Sequence, residues 1–442
     1  MPVQKRNRPL RKTAKRLEPR GEKNAVPRIL NKNGLIAALD IGTSKTCCVL
    51  ARPVEVDKAL ITGAGSHRSK GLKKGMIVNL PDVIDSVRNA VENAEKEAGE
   101  RIETVVTNVT ARQFSSELLH ASLSLGGTEV TQSDISRLIT KARNKIEKNG
   151  DEILHCIPTE YRLDDAFDIR DPRGLFGDTL SVSLHKISTP PAPVRNMNAV
   201  LEQCHLTCAR KVASPYAAGL ACLREEEMQQ GSAVIDLGAG TTGIGVFYEG
   251  QPVFVSRLPV GGNHITEDLT VKFKTAFADA ERIKTLNGSV YPSERYSTEE
   301  IDIPLLGEDA RISIYRVPRI EMVNVIIMRV REIFELVRRE LEQSGFYDLC
   351  LNFVLTGGGS QLQGIREMAS SVLQKNARIG QPVGLEDPNA IILPASYPIY
   401  TGCFGQLRYA LNARTNIPAH QKDLPKNQNG IIRFFQWFLD NC

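Results

Sequence analysis

The sequence predicts an α/β protein of two related lobes, and three observations predict it. The first is a hairpin signature early in the chain: an apolar run from Leu35 to Asp40, the turn residues Gly42-Thr43-Ser44, and a second apolar run from Cys47 to Leu50. The second is the return of the same grammar about two hundred residues later, as Ala233-Val234-Ile235-Asp236, then Leu237-Gly238-Ala239-Gly240-Thr241-Thr242-Gly243, then Ile244 to Tyr248. A hairpin motif repeated at that distance marks two halves built on one plan. The third is helical periodicity between the hairpins: Val83, Ile84, Val87, Ala90, Val91 and Ala94 recur at three and four, as do Val325, Ile326, Val330, Ile333, Phe334 and Val337. Such stripes predict helices that turn one face to a core.

Ahead of the first hairpin, residues 1–33 carry eleven Lys or Arg against only Glu18 and Glu22, so the formal net charge of +5 belongs to this tail and the rest of the chain is slightly acidic. Rich in Pro, Asn and Arg and without apolar periodicity, the tail reads as disordered. It could touch anionic lipid or nucleic acid through counterion release, or simply keep the chain soluble; no specific nucleic-acid partner is predicted. At 442 residues, 41% hydrophobic and 24% charged, the body is long enough for two or more domain cores. No apolar run reaches the roughly 18 to 20 residues of a spanning helix, and no apolar segment follows the basic N-terminus, so neither a transmembrane nor a secreted protein is expected. The nine cysteines are scattered and odd in number, which suits a reducing cytoplasm. Cys204, His205 and Cys208 lack a second ligand pair and do not predict a zinc site.

Gly238, Gly240 and Gly243 spell GxGxxG, but the residues that follow are Ile-Gly-Val-Phe-Tyr, a strand and not the helix that a dinucleotide site requires. A strand-turn-strand fits better, and it matches the first hairpin: each has an Asp at a strand end followed by a Gly- and Thr-rich turn. Backbone N–H groups in tight turns accept phosphate oxygens, Gly permits close approach, and hydroxyls add donors. Two opposed turns would clamp a polyphosphate through Asp40, Gly42, Thr43, Ser44 and Lys45 on one side and Asp236, Gly238, Gly240, Thr241 and Thr242 on the other. Asp40 and Asp236 would then face each other and hold Mg²⁺ through water. A third turn, Thr356-Gly357-Gly358-Gly359-Ser360, follows the apolar run Leu351 to Leu355 and precedes a helix-like stretch from Leu362 to Leu373. Its bare backbone would accept a flat purine ring.

Taken together, Asp40-Ile41-Gly42-Thr43, Asp236-Leu237-Gly238-Ala239-Gly240-Thr241 and Thr356-Gly357-Gly358-Gly359 resemble, in order and spacing, the two phosphate motifs and the adenosine motif of the actin, sugar kinase and heat-shock chaperone superfamily. The resemblance implies an actin-like two-lobe fold of duplicated ribonuclease H-like domains, with ATP and Mg²⁺ as cofactors. Ser214-Pro215-Tyr216-Ala217-Ala218-Gly219 and Thr401-Gly402-Cys403-Phe404-Gly405 take the places of its two connecting helices, and Glu281 and Lys284 would reach the ribose and adenine. In the chaperones an acid stands where Ser214 stands here, and no general base replaces it, so ATP binding is expected with at most slow hydrolysis. Lys70-Gly71-Leu72-Lys73-Lys74-Gly75, Ile153-Leu154-His155-Cys156-Ile157-Pro158-Thr159-Glu160-Tyr161 and Asp171-Pro172-Arg173-Gly174-Leu175 resemble the FtsA family of bacterial cell division proteins in particular.

That resemblance implies a domain plan: the basic tail at 1–33, a first lobe from 34–109 and 189–230 with 401–411, a family-specific inserted subdomain at 110–188, and a second lobe at 231–400 with a small subdomain near 262–345. Residues 412–429, with Pro418, Pro425 and few apolar groups, read as a mobile linker. Beyond it, Ile431, Ile432, Phe434, Phe435, Phe438 and Leu439 fall within roughly 160° of a helix at 100° per residue. Trp437 lies on the flank of that face, where an indole sits well at lipid headgroup level. The segment 430–442 thus reads as an amphipathic helix for a membrane interface or, alternatively, for docking on protein; FtsA-like chains end in a membrane-targeting helix of this kind.

The family implies further partners: the C-terminal tail of the tubulin-like FtsZ, met by Arg319, Asn324 and Arg329; further copies of itself in filaments; anionic lipids of the cytoplasmic membrane; and late membrane proteins of the division machinery. The function so implied is a nucleotide-switched scaffold on the inner face of the cytoplasmic membrane at the division septum, where it tethers FtsZ filaments. Its competitors are soluble actin-fold ATPases: a phosphotransferase, a chaperone, or a pilus or shape scaffold.

Overall fold

One five-strand plan is used twice. The computed structural model describes residues 28–55, 57–109, 111–144, 150–305 and 314–415. In the first lobe, strands Ala59–Arg68, Lys45–Pro53 and Ile36–Ile41 form an antiparallel meander, continued in parallel by Thr104–Asn108 and Thr207–Val212. In the second, Gln251–Leu258, Thr242–Tyr248 and Ser232–Leu237 are antiparallel, and Asn352–Thr356 and Asn376–Ile379 continue them in parallel. Parallel neighbours need a crossover, and helices supply it. The central strands read as unbroken apolar runs because both of their faces are covered: Ile36 to Leu39 and Ala233 to Ile235 are fully buried.

Helix Leu80–Ala98 shows how local signals set an element. Asn79 caps its start by accepting from the Asp82 N–H, a proline follows in the first turn, and Gly99 ends it in the left-handed region. Val83, Val87, Ala90, Val91 and Ala94 are its buried stripe.

Between the lobes run two helices, Ser214–Cys222 and Tyr397–Thr415. Every residue of the first is buried, and its small side chains pack beside Val234, Phe247 and Val354 of the second sheet and Phe404, Leu407 and Leu411 of the second helix. The two helix backbones touch at Gly405, where even a Cβ would overlap the Ala217 carbonyl. Close crossing of this kind is open only to the smallest residue.

An inserted subdomain interrupts the first lobe. Strands Ser115–Ser124, Thr179–Thr189, Glu152–Leu163 and Ala166–Ile169 form its sheet in that order, and helix Gln132–Asn144 covers it. It has its own core of Val130, Ile135, Leu138, Ile139, Leu180, Val182 and Leu184. In the second lobe, helices Gly262–Phe273 and Phe277–Asn287, hairpin Glu300–Pro304 with Ile314–Pro318, and the long helix Arg319–Ser344 lie between the meander and the parallel strands.

Two boundaries differ from the sequence expectation. The first lobe takes the chain back before residue 401: Leu385–Glu386 adds a parallel edge strand beside Ala59, and Ile392 is buried in the first-lobe core. Two-residue strands carry too little periodicity to be read ahead of time. Residues 412–415, expected in the linker, extend helix Tyr397–Thr415, because Leu411 and Ala413 still have the core to pack against. Most of the basic tail, the rest of the expected linker, and the terminal segment with Ile431, Ile432, Phe434, Phe435, Trp437, Phe438 and Leu439 lie outside the described residues. Among the described residues, no helix is long and apolar enough to cross a membrane.

Candidate functional site

The repeated hairpins agree bond for bond. Asp40 pairs with Cys47 and Asp236 with Gly243 in the same register. Two residues after each Asp, a glycine N–H turns back to the carbonyl three residues on: Gly42 to Lys45 at 3.0 Å and Gly238 to Thr241 at 3.0 Å. The turns face each other closely enough that a Cβ on Gly240 would stand 2.8 Å from Thr43 Oγ1. Asp40 lies against the bare face of Gly402 from the second connecting helix, and Asp236 against Gly357 of the third glycine turn, which adopts φ +80°. The structure therefore brings the three turns and the connecting helix together around two carboxylates.

Burial and the neighbouring Asp236 push Asp40 up to about 7, and burial raises Asp236 as well; the Arg257 guanidinium pulls both back. Two acids that resist joint ionisation form a site that gains from added positive charge. The two carboxylates offer oxygen donors, which suit a hard divalent cation such as Mg²⁺. Among the described residues, no group of three or more His, Cys, Asp or Glu could hold a metal ion. Mg²⁺ here would thus keep most of its water and lean on phosphate oxygens, its usual habit.

Not every expected phosphate contact is equally available. Ser44 and Lys45 are exposed, but the Thr242 hydroxyl already donates to Val260 O at 2.8 Å. The expected adenosine residues lie beside the second turn. Lys284 Nζ donates to Glu281 Oε2 at 2.7 Å, Thr266 Oγ1 at 2.8 Å and Gly262 O at 3.1 Å. Gly262 and Asn263 in turn donate their N–H groups to Gly238 O at 2.9 Å and Ala239 O at 2.7 Å. Across from them, Gly358 and Gly359 open a short 3-10 turn, Gly358–Gln361, ahead of helix Ile365–Leu373. A Cβ on Gly359 would stand 2.9 Å from Leu237 O, while one on Gly358 would meet nothing within 4 Å. Gly358 therefore presents open backbone on which a flat ring can lie.

The three residues expected to meet an acidic tail stand apart from this cleft on the long helix. Arg319 lies 4.0 Å over the Tyr296 ring, bonds Asn287 O at 2.8 Å and pairs with Glu299 at 3.1 Å. Arg329 holds Asp268 with two bonds, at 2.6 and 2.8 Å, and Glu332 at 2.6 Å. Asn324 is exposed. Both guanidinium groups are thus engaged by carboxylates of this chain, and an incoming carboxylate would compete with them.

Sequence reasoning missed Arg257, Thr266 and the pair Gly261-Gly262. The Gly-Gly dipeptide was a usable signal for a further turn. Arg257 had none, since its place depends on strand pairing. His155 and His185 were also unmarked; both are fully buried where the inserted subdomain meets the two lobes.

Comparisons with known proteins add family context. The family model described as cell division protein FtsA matches residues 233–397, and that of the SHS2 domain inserted in FtsA matches residues 111–188. The chain is 35% identical over 424 residues to the cell division protein FtsA of Rhizobium meliloti, covering 93% of this chain and 95% of that one. It is 32% identical to the Neisseria meningitidis FtsA over 408 residues, 91% of this chain and 97% of that one. To the Bacillus subtilis FtsA it is 31% identical over 363 residues, 81% and 82% of the two chains. In shape it resembles a chain of the PilM-PilN type IV pilus biogenesis complex, with TM-score 0.61 at 16% identity over 87% of this chain and 99% of that one. It also resembles MreB5 of Spiroplasma citri bound to ADP, with TM-score 0.51 at 13% identity over 87% and 98%.

Proposed function

This chain belongs to the FtsA family of cell division proteins and has the actin-like two-lobe fold with the SHS2 insertion; from that premise we propose that it binds ATP with Mg²⁺ between its lobes, polymerises, and tethers FtsZ filaments to the inner face of the cytoplasmic membrane at the septum. The observation that carries the nucleotide reading is the pair of hairpins in one register, turned toward each other around Asp40 and Asp236. Asp40 and Asp236 would hold a hydrated Mg²⁺, which would supply neutralisation of the phosphate charge. The chain supplies the rest: turn N–H groups and Thr43 toward phosphate oxygens, Lys284 and Glu281 toward the ribose and base, and Gly358 beneath the ring. Ser214 is buried at the mouth of the first connecting helix, and a hydroxyl there is a poor general base. The protein acts as a nucleotide-switched scaffold with slow turnover at most.

The terminal segment with Trp437 supplies the membrane contact in this reading. A short helix binds lipid weakly alone, and polymerisation multiplies the contact. Arg319, Asn324 and Arg329 receive the FtsZ tail, the guanidinium groups exchanging their internal carboxylates for the partner's. The inserted subdomain recruits later membrane proteins of the division machinery.

Two measurements test the proposal. A fluorescent ATP analogue should bind the protein with Mg²⁺, and Asp236→Asn should weaken it by roughly tenfold or more; equal affinity in the variant would remove the clamp. Anionic vesicles with ATP should pellet the full chain and shift Trp437 emission to the blue, while a chain stopped before Gly430 should do neither. Pelleting that survives the truncation would place the membrane contact elsewhere, and no pelleting by either chain would favour a soluble actin-fold ATPase.

A further inference from the structure

Arg257 lies where the nucleotide site and the inserted subdomain meet. On the second sheet Asp236 pairs with Gly243, and Gly243 with Arg257, so the three residues form one line across adjacent strands. Side chains of laterally paired residues share a face. The middle position has no side chain, and a Cβ there would stand 3.0 Å from Pro215 Cγ and 3.5 Å from Asp236 Cβ. Gly243 thus leaves a lane, roofed by Pro215, along which the guanidinium and the carboxylate sense each other. The field of Arg257 reaches Asp40 as well as Asp236.

The other side of the guanidinium belongs to the insertion. Nη1 donates to Ala111 O at 2.8 Å, and the group sits 5.2 Å from the Phe114 ring centre. Ala111 is the first residue of the matched SHS2 insertion. The buried Nε has no hydrogen-bond partner, so the guanidinium retains donor capacity in its present position. Along the same strand, the Val255 N–H donates to Ser116 Oγ at 3.2 Å and His185 Nδ1 bonds Pro252 O at 2.8 Å. Strand Gln251–Leu258 is therefore fastened to the insertion at three places, and Arg257 is the one that also faces the carboxylate pair.

We propose that Arg257 is a charged member of the nucleotide site that reports its occupancy to the inserted subdomain, a role that rests on the ATP reading above. In the protein alone, Arg257 is the positive charge near Asp40 and Asp236. A magnesium polyphosphate brings a competing cation to the carboxylates and new acceptors for the guanidinium. Its balance of forces then differs between the two states, which a conformational coupling requires. Any re-aiming of the guanidinium is felt at the Ala111 carbonyl and the Phe114 ring, where the insertion begins.

Hydrogen exchange on the full chain tests this, in wild type, Arg257→Gln and Arg257→Lys, with and without a non-hydrolysable ATP analogue and Mg²⁺. In wild type, the analogue should change amide exchange over residues 111–124 by roughly threefold or more. In Arg257→Gln, which should bind the analogue more weakly and is compared at an analogue concentration that saturates it, that change should vanish; Arg257→Lys should keep part of it. A variant that binds the analogue and transmits as wild type does would overturn the relay, as would loss of binding in both variants, which would make Arg257 a ligand-binding residue only. A second arm uses no nucleotide: Asp236→Asn should alter exchange over 111–124 in the wild-type background and leave it unchanged in the Arg257→Gln background. If wild type binds no nucleotide, the ATP reading fails, and this second arm still decides whether Arg257 couples the carboxylates to the insertion.

Discussion

Acidifying the protein from about pH 7 to about pH 5 is expected to cost roughly 2 kcal/mol of folding stability through each of two buried histidines, partly offset by Asp40, whose raised carboxyl takes up a proton more readily folded than unfolded. The cause is their burial in the protein interior, where each neutral ring is held by hydrogen bonds. His155 Nε2 accepts the Ala213 N–H at 3.0 Å, so the neutral ring carries its proton on Nδ1, and a second proton would break that bond. The edges of Tyr216 and Tyr409 surround it, at centroid distances of 5.0 and 5.5 Å. His185 is fixed from both sides, by Pro252 O at Nδ1 and Ser116 Oγ at Nε2. Burial, with the neighbouring His185, pulls His155 down to about 3; burial also pulls His185 down to about 4, against the bond to Pro252 O. Both values lie below the ordinary 6.5 of an unfolded chain. The unfolded chain therefore takes up protons between those limits and the folded chain does not. The stabilisation is complete above about pH 6.5 and is lost as the pH falls. Urea unfolding at the two pH values measures it. His155→Gln and His185→Gln should each flatten the pH dependence, whatever they cost at neutral pH, and variants that keep the wild-type slope would assign the acid lability to other groups.

Gly405→Ala should destabilise the protein by about 3 kcal/mol or more, at the upper end of what overpacking costs. The added Cβ falls on the Ala217 carbonyl and stands 2.7 Å from Ala217 Cα. Both partners are backbone in buried helices, so no rotamer can relieve the overlap and the connecting helices must separate. Gly358→Ala is the matched control: its Cβ meets nothing within 4 Å, and it should stay within about 0.5 kcal/mol of wild type. Thermal unfolding of the two variants decides the matter. Equal melting temperatures would mean that the helix crossing is not tight in solution.

The parts of this protein that were legible in its sequence are those written locally. Asp40 and Asp236 announce themselves because each strand, turn and return strand lies within a stretch of fewer than twenty residues, and the same pattern occurs twice. Helix Leu80–Ala98 carries its cap, stripe and stop in one stretch. Arg257 was not legible, because it reaches Asp236 only once three strands are in register across a glycine, and nothing in Val-Ser-Arg-Leu distinguishes it from an arginine at a sheet margin. His155 was visible only as part of a run of residues, and its role depends on Ala213 and Tyr409, which come from elsewhere in the chain. The return of Leu385–Glu386 to the first sheet was hidden for the same reason.

That return has a consequence for how the protein is made. A ribosome finishes the strands of the first meander early, yet the edge strand Leu385–Glu386 and the covering helix Tyr397–Thr415 emerge only after the strands of the second lobe. The first lobe must wait, with Phe404 and Leu407 missing from its core, while the whole second lobe is synthesised and is free to fold ahead of it. Maturation therefore runs against the order of synthesis: the half made first is completed after the second lobe, and a nascent chain released before Leu385 would lack the edge strand and covering helix of the first lobe.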